Sequence, residues 1–142
     1  HLEGKMVDVV KNASYIGSFL VTGGVITLRE AVVPADVLEI GLHYNSTVTT
    51  MEPAIPGTNI AGLPRSWDSL FVRLKDSKGG RLNGEPIPYD ASNLDENALY
   101  TGIRKVTGQG WDTDGRVTVL QDQPYPFTIL SIFGTLSLGG TD

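Results

Sequence analysis

Asp112-Thr113-Asp114-Gly115 sets two carboxylates one residue apart, a spacing at which acidic side chains can converge on a hard cation. An EF-hand loop needs further oxygen ligands at its fifth and twelfth positions and a glycine at its sixth, whereas here Gly115 comes fourth and Arg116 fifth. The segment therefore reads as an Asp-Gly turn. The two imidazoles, His1 and His43, have no carboxylate or thiol at ligand spacing in the sequence, which makes His43 a half-buried or surface residue of a strand. Asp90, Asp95, Glu96, Asp112 and Asp114 are numerous enough for a glycosidase-type pair, but they fall in predicted turns, where a solvated carboxylate is the plainer reading. No serine lies in a Gly-x-Ser-x-Gly elbow, and Gly108-Gln109-Gly110 lacks the helix and basic residue of a phosphate loop. With no cysteine there is neither a thiolate metal site nor a cysteine nucleophile. Trp67, Trp111, Tyr100 and Tyr125 could stack on a sugar, although aromatics beside turns more often anchor a core or an interface. Catalysis, a cofactor and a bound metal are not expected.

The elements that would carry these residues are strands. Met6 to Val10 is β-branched and is followed by the turn residues Lys11-Asn12-Ala13-Ser14. Tyr15 to Val21 and Val25 to Leu28 flank Thr22-Gly23-Gly24, which predicts a hairpin. Val37 to Tyr44 and Thr47 to Met51 complete about four or five short strands in the first fifty residues. Glu52 to Pro64, with three prolines and two glycines, is a loop, either a disordered connector or a partner-contacting segment, and its apolar Ile55, Ile60 and Leu63 favour docking onto a neighbour. Trp67 to Lys75 alternates, with Leu70, Val72 and Leu74 on one face. Asn83-Gly84 signals a type I′ turn, and Pro86 and Pro88 keep the following arm at a sheet edge. Asn93 to Leu99 is the one place for a helical turn or two. Gly102 to Val106 and Arg116 to Leu120 are expected to pair with each other. Pro124 and Pro126 hold the chain extended at a crossing between strands, ahead of a long strand from Phe127 to about Leu138.

The expected fold is all-β: a single sandwich or flattened barrel of short antiparallel strands with at most one or two helical turns. A length of 142 residues suits one domain, with strand-rich blocks 1–51 and 65–142 around the loop 52–64. Charged residues make up 19%, below the roughly 25% usual for soluble domains, a composition that suits subunit contacts. The net charge of −5 and the lack of a Lys/Arg cluster exclude tight binding through phosphate neutralisation. An acidic wall past which DNA slides is compatible with that charge. No apolar run reaches the roughly 20 residues that span a bilayer. The opening at His1 reads as a piece of a longer polypeptide, with a cloning remnant as the alternative.

Five pieces of the chain, in order, resemble the tail nozzle proteins of short-tailed bacteriophages, also described as tail tubular protein B, hub or packaged-DNA stabilisation proteins. They are His1-Leu2-Glu3-Gly4-Lys5, Gly41-Leu42-His43-Tyr44, Glu85-Pro86-Ile87-Pro88, Leu99-Tyr100-Thr101-Gly102, and the run from Gly115-Arg116-Val117-Thr118-Val119 through the proline pair to Leu136. The basic, glycine-containing segment such proteins often carry ahead of the middle strand is replaced here by Gly57 to Arg65. The resemblance implies a non-enzymatic C-terminal β-domain of a virion tail subunit. Such subunits form a hexameric homo-oligomeric ring below the portal and adaptor, carry fibres or a needle, and close or guide the channel through which DNA passes without sequence-specific binding. Ile55, Ile60, Leu63, Trp67, Trp111, Tyr125 and Phe127 are the expected interface residues. The alternative is a carbohydrate-binding or host-adhesion β-module; a phage-borne glycan hydrolase using Asp112 or Asp114 is a weaker third.

Overall fold

The computed structural model describes residues 1–55, 62–89 and 98–139. Eleven strands lie within them: β1 (Met6–Lys11), β2 (Ser14–Leu20), β3 (Leu38–Leu42), β4 (Ser46–Thr49), β5 (Arg65–Ser77), β6 (Arg81–Leu82), β7 (Glu85–Pro86), β8 (Tyr100–Val106), β9 (Trp111–Asp112), β10 (Thr118–Gln121) and β11 (Thr128–Leu138). They form three antiparallel sheets, ordered β2-β1-β3, β4-β10-β6-β7 and β11-β5-β8, with β9 also pairing β5. The all-β expectation holds, and no helix occurs among the described residues. Of the predicted helical turn, residues 93–97 lie outside them, as does Ile60.

The second and third sheets make a sandwich-like pair. Leu70, Val72 and Leu74, every second residue of β5, are fully buried, as the alternation required. Leu82, Ile87, Val106, Val117 and Val119 complete this core, with Trp67, Tyr89, Tyr100, Phe127, Ile129 and Ile132 packed against it. Each fully buried Leu or Val stabilises by about 1.5–3 kcal/mol. At Gly134 on β11, a Cβ would stand 1.9 Å from the Ser69 carbonyl oxygen, so this position admits only glycine at the present spacing of β5 and β11. The first sheet carries its own buried residues: Val7 and Val9 are fully buried on β1, and Leu2, Val21, Ile26 and Ile40 surround a recess beside Val7.

Turn chemistry acted where it was read. Asn12 and Ala13 take positive φ of 50° and 64° and join β1 to β2, while Asn83 and Gly84, at 49° and 86°, join β6 to the edge strand β7. Pro124 and Pro126 lie where the chain leaves β10 in one sheet for β11 in the other.

Two pairings differ from expectation. The segment Tyr15 to Val21 pairs with β1, and the Gly23-Gly24 turn closes only a single Thr22–Val25 bridge. The amides of Gly23 and Gly24 are taken by the Glu3 carboxylate, at 2.9 and 2.8 Å, which ties the turn to the N-terminal segment. β8 and β10 do not pair either: β8 lies on β5, and β10 lies between β4 and β6. Alternation dictates which face is buried, and Val106 and Val119 do share one core, but they reach it from opposite sheets.

Candidate functional site

Three clusters of polar and aromatic side chains stand out. One lies on the first sheet, centred on Asp8, which is 4% exposed on the buried strand β1. His43 Nδ1 is 3.0 Å from both carboxylate oxygens, Ser18 Oγ donates to Oδ1 at 2.5 Å, and the Tyr15 hydroxyl donates to the same oxygen at 3.1 Å. Sequence spacing gave no carboxylate to His43; strand pairing supplies one from 35 residues away. A Ser-His-Asp relay needs serine to bond histidine, yet here Ser18 and His43 both bond the carboxylate. The cluster satisfies the acceptors of a buried carboxyl group. Burial, above all, pushes the Tyr15 hydroxyl upward in pKa.

A second site is a groove of about 490 Å³ on the side of the sandwich where β4 and β11 are edge strands. Val48, Tyr125, Pro126, Phe127, Ile129 and Ile132 line it. The crossing segment behind it is held firmly: Gln121 Nε2 donates to the carbonyls of Lys78 (2.9 Å) and Tyr125 (3.1 Å), and the Lys78 amide donates to Pro126 at 3.0 Å. Phe127 lies over Gly80, where an added Cβ would meet its ring at 2.5 Å. Tyr125 also has an internal role. Its hydroxyl accepts the Tyr15 amide at 2.5 Å, the two rings meet edge to face at 6.4 Å, and the Lys78 ammonium lies 4.4 Å from its ring centre. This contact ties the first sheet to the sandwich.

The third site is a cleft of about 520 Å³ beside the loop from Gly108 to Gly115. The loop is pinned from β5 at three points: Ser66 Oγ donates to the Gln109 carbonyl (3.2 Å), Arg65 Nη1 to Asp114 (3.3 Å) and Trp67 Nε1 to Gly115 (3.0 Å). Arg65 is fully buried and its Nη2 lies 2.8 Å from Glu52 Oε1 at the start of the long loop. No motif marks this arginine in the sequence; an arginine at the head of an apolar strand is its only trace. Trp67 is thus a packed anchor, whereas Trp111, on β9 and paired in register with Ser66, is 62% exposed. Asn83, Gln109, Asp112, Asp114 and Arg116 add polar groups around it. The Thr113 amide, donating at 2.5 Å, is the leading reason that the Asp112 carboxyl lies below its ordinary range. Asp114 accepts the Arg116 amide and pairs with its guanidinium at 3.3 Å, which makes Asp112 to Arg116 a self-braced turn. Among the described residues, no group of three or more His, Asp or Glu is placed to hold a metal ion.

Of the remaining expected contact residues, Ile55 is exposed and Leu63 half-buried. The described residues form an all-β protein with an apolar groove and an aromatic, polar cleft. Its sequence matches no family model, and no curated protein matches it.

Proposed function

We propose that this chain is a non-enzymatic building block of a short bacteriophage tail, a nozzle or hub domain of the virion that assembles into a hexameric ring and docks other tail proteins. The observation that carries the reading is the edge of the third sheet. β11 runs for 11 residues without one charged side chain, β5 covers only one of its edges, and Leu130 and Phe133 are exposed. Free edges are normally blunted by lysine, proline or short length. β11 has only two register irregularities against β5, so its outward amides and carbonyls suit a protein partner.

The five sequence pieces that resemble nozzle proteins support the same reading, and the longest of them contains β10, the proline crossing and most of β11. The apolar groove beside β11 offers the contact surface, with Tyr125 and Phe127 in its wall, and the exposed Ile55 is a separate contact. The acidic balance of −5 suits a channel that DNA traverses without being gripped. Among the described residues no helix is long and apolar enough to cross a membrane.

Electron microscopy of the full-length polypeptide tests the proposal. A six-fold ring is expected, and it should be lost when Leu130→Lys places a charge on the β11 edge while the circular dichroism of the fold is kept. Particles that stay monomeric at high concentration, or rings indifferent to that charge, would sink it.

A further inference from the structure

The cleft beside Trp111 shares no lining residue with the apolar groove beside β11, and its construction points to a ligand. We propose that it is a binding site for a neutral saccharide, one pyranose ring of which stacks on the exposed indole of Trp111.

Four features converge on this chemistry. An indole that is 62% exposed on a two-residue strand contributes little to the core, whereas Trp67, on the adjacent strand β5, is packed and hydrogen-bonded. The platform is rigid, because β9 pairs Arg65 and Ser66 and the loop around it is pinned by Arg65, Ser66 and Trp67. A rigid aromatic loses little conformational freedom on binding. Part of the lining is bare: Gly84 and Gly110 contribute no side chain to the cleft, and a Cβ built at either would meet nothing within 4 Å. That leaves room for a ring at van der Waals distance. Around it stand the Asp112 carboxylate, the Asn83 and Gln109 amides, which bond each other at 2.7 Å, and the half-exposed Arg116 guanidinium paired with Asp114, planar groups whose remaining donor and acceptor positions suit sugar hydroxyls.

The charges decide between sugar classes. Asp112 and Asp114 face Arg65 and Arg116 in the lining, and Arg65 and Arg116 are already engaged with Glu52 and Asp114. Among the described residues of the lining no unbalanced positive charge remains to favour a uronate or sialate, while Asp112 repels one. A neutral, hydroxyl-rich ring fits.

The test uses the chain itself with cellohexaose, maltohexaose and chitohexaose as neutral probes and a galacturonate oligomer as the anionic control. The readouts are the indole N–H resonances and tryptophan fluorescence. A saturable shift of the Trp111 indole is expected with at least one neutral probe, at a Kd on the order of 1 mM or tighter. Two variants should leave the fold intact: Trp111→Ala removes an exposed side chain, and Gly110→Leu fills open space at a residue without positive φ. Each should weaken binding about tenfold or more, roughly 1.4 kcal/mol. The proposal is overturned if no neutral probe shifts the indole, if binding survives both variants, or if the uronate binds better. It is equally overturned if the Trp111 signal follows protein concentration in place of sugar, which would make Trp111 a contact between copies. None of these readouts depends on ring formation, so this site and the tail assignment stand or fall separately.

Discussion

Arg65 is the residue on which the cleft and the long loop both depend. Its guanidinium is fully buried, meets Glu52 at 2.8 Å and donates to the carbonyl of Asp114. Arg65→Met keeps the volume but abandons those acceptors, so a loss of about 2–4 kcal/mol is expected in denaturant unfolding. A change within about 0.5 kcal/mol would mean that the loop is held by other bonds. Tyr89 sets an alkaline limit. Burial, the largest influence, pushes its hydroxyl to about 12 from an ordinary 10, and in the neutral form it donates to the Gly79 carbonyl at 2.6 Å. The folded state holds this proton more tightly than the unfolded state does. Its stabilising contribution is therefore complete below pH 10 and is lost as the pH rises from 10 towards 12. Melting scans should show a fall in Tm over that window, flattened in Tyr89→Phe, with parallel curves as the contrary result.

At the scale of elements, the long hairpin-like contact of β5 with β11 depends on close approach at one point. Gly134 lies opposite Leu70, and a methyl group there would press on the Ser69 carbonyl. Gly134→Ala is expected to separate the two strands locally, costing about 2 kcal/mol or more and loosening the amides of Ser131 to Leu136 in hydrogen exchange. Unchanged protection of those amides would show that the sheet can absorb the methyl group. The crossing from β10 to β11 shows the opposite strategy. There Pro124 and Pro126 give up amide donors, and Gln121 and Lys78 bond the carbonyls of Tyr125 and Pro126 from the side.

Across the whole molecule, the sandwich core contains no residue of β1, β2 or β3. The first sheet relies on Val7, Val9, Val10 and Val21, and it reaches the crossing segment through the Tyr15–Tyr125 contact. Two sets of buried residues joined in this way should open separately. Val9→Ala is expected to cost about 1–3 kcal/mol. The loss should appear as faster amide exchange in β1 to β3 with little change in β5, β8 and β11. Equal acceleration in all sheets would mean one cooperative unit.

Local physics was legible in the residues themselves. Period-two alternation from Leu70 to Leu74 specified a buried face, Asn12-Ala13 and Asn83-Gly84 specified tight turns, and two prolines specified a crossing, because each depends on the conformational preferences of a few neighbouring residues. Partner choice was not legible. β8 and β10 both present valine to one core, and nothing in their alternation states whether they do so side by side or from opposing sheets. The same limit hid Asp8 from His43 and Arg65 from the loop it pins, since those contacts join residues 35 and 49 positions apart. Only the packed chain decides which distant polar groups meet, because burying a charge forces a partner upon it wherever in the sequence that partner lies.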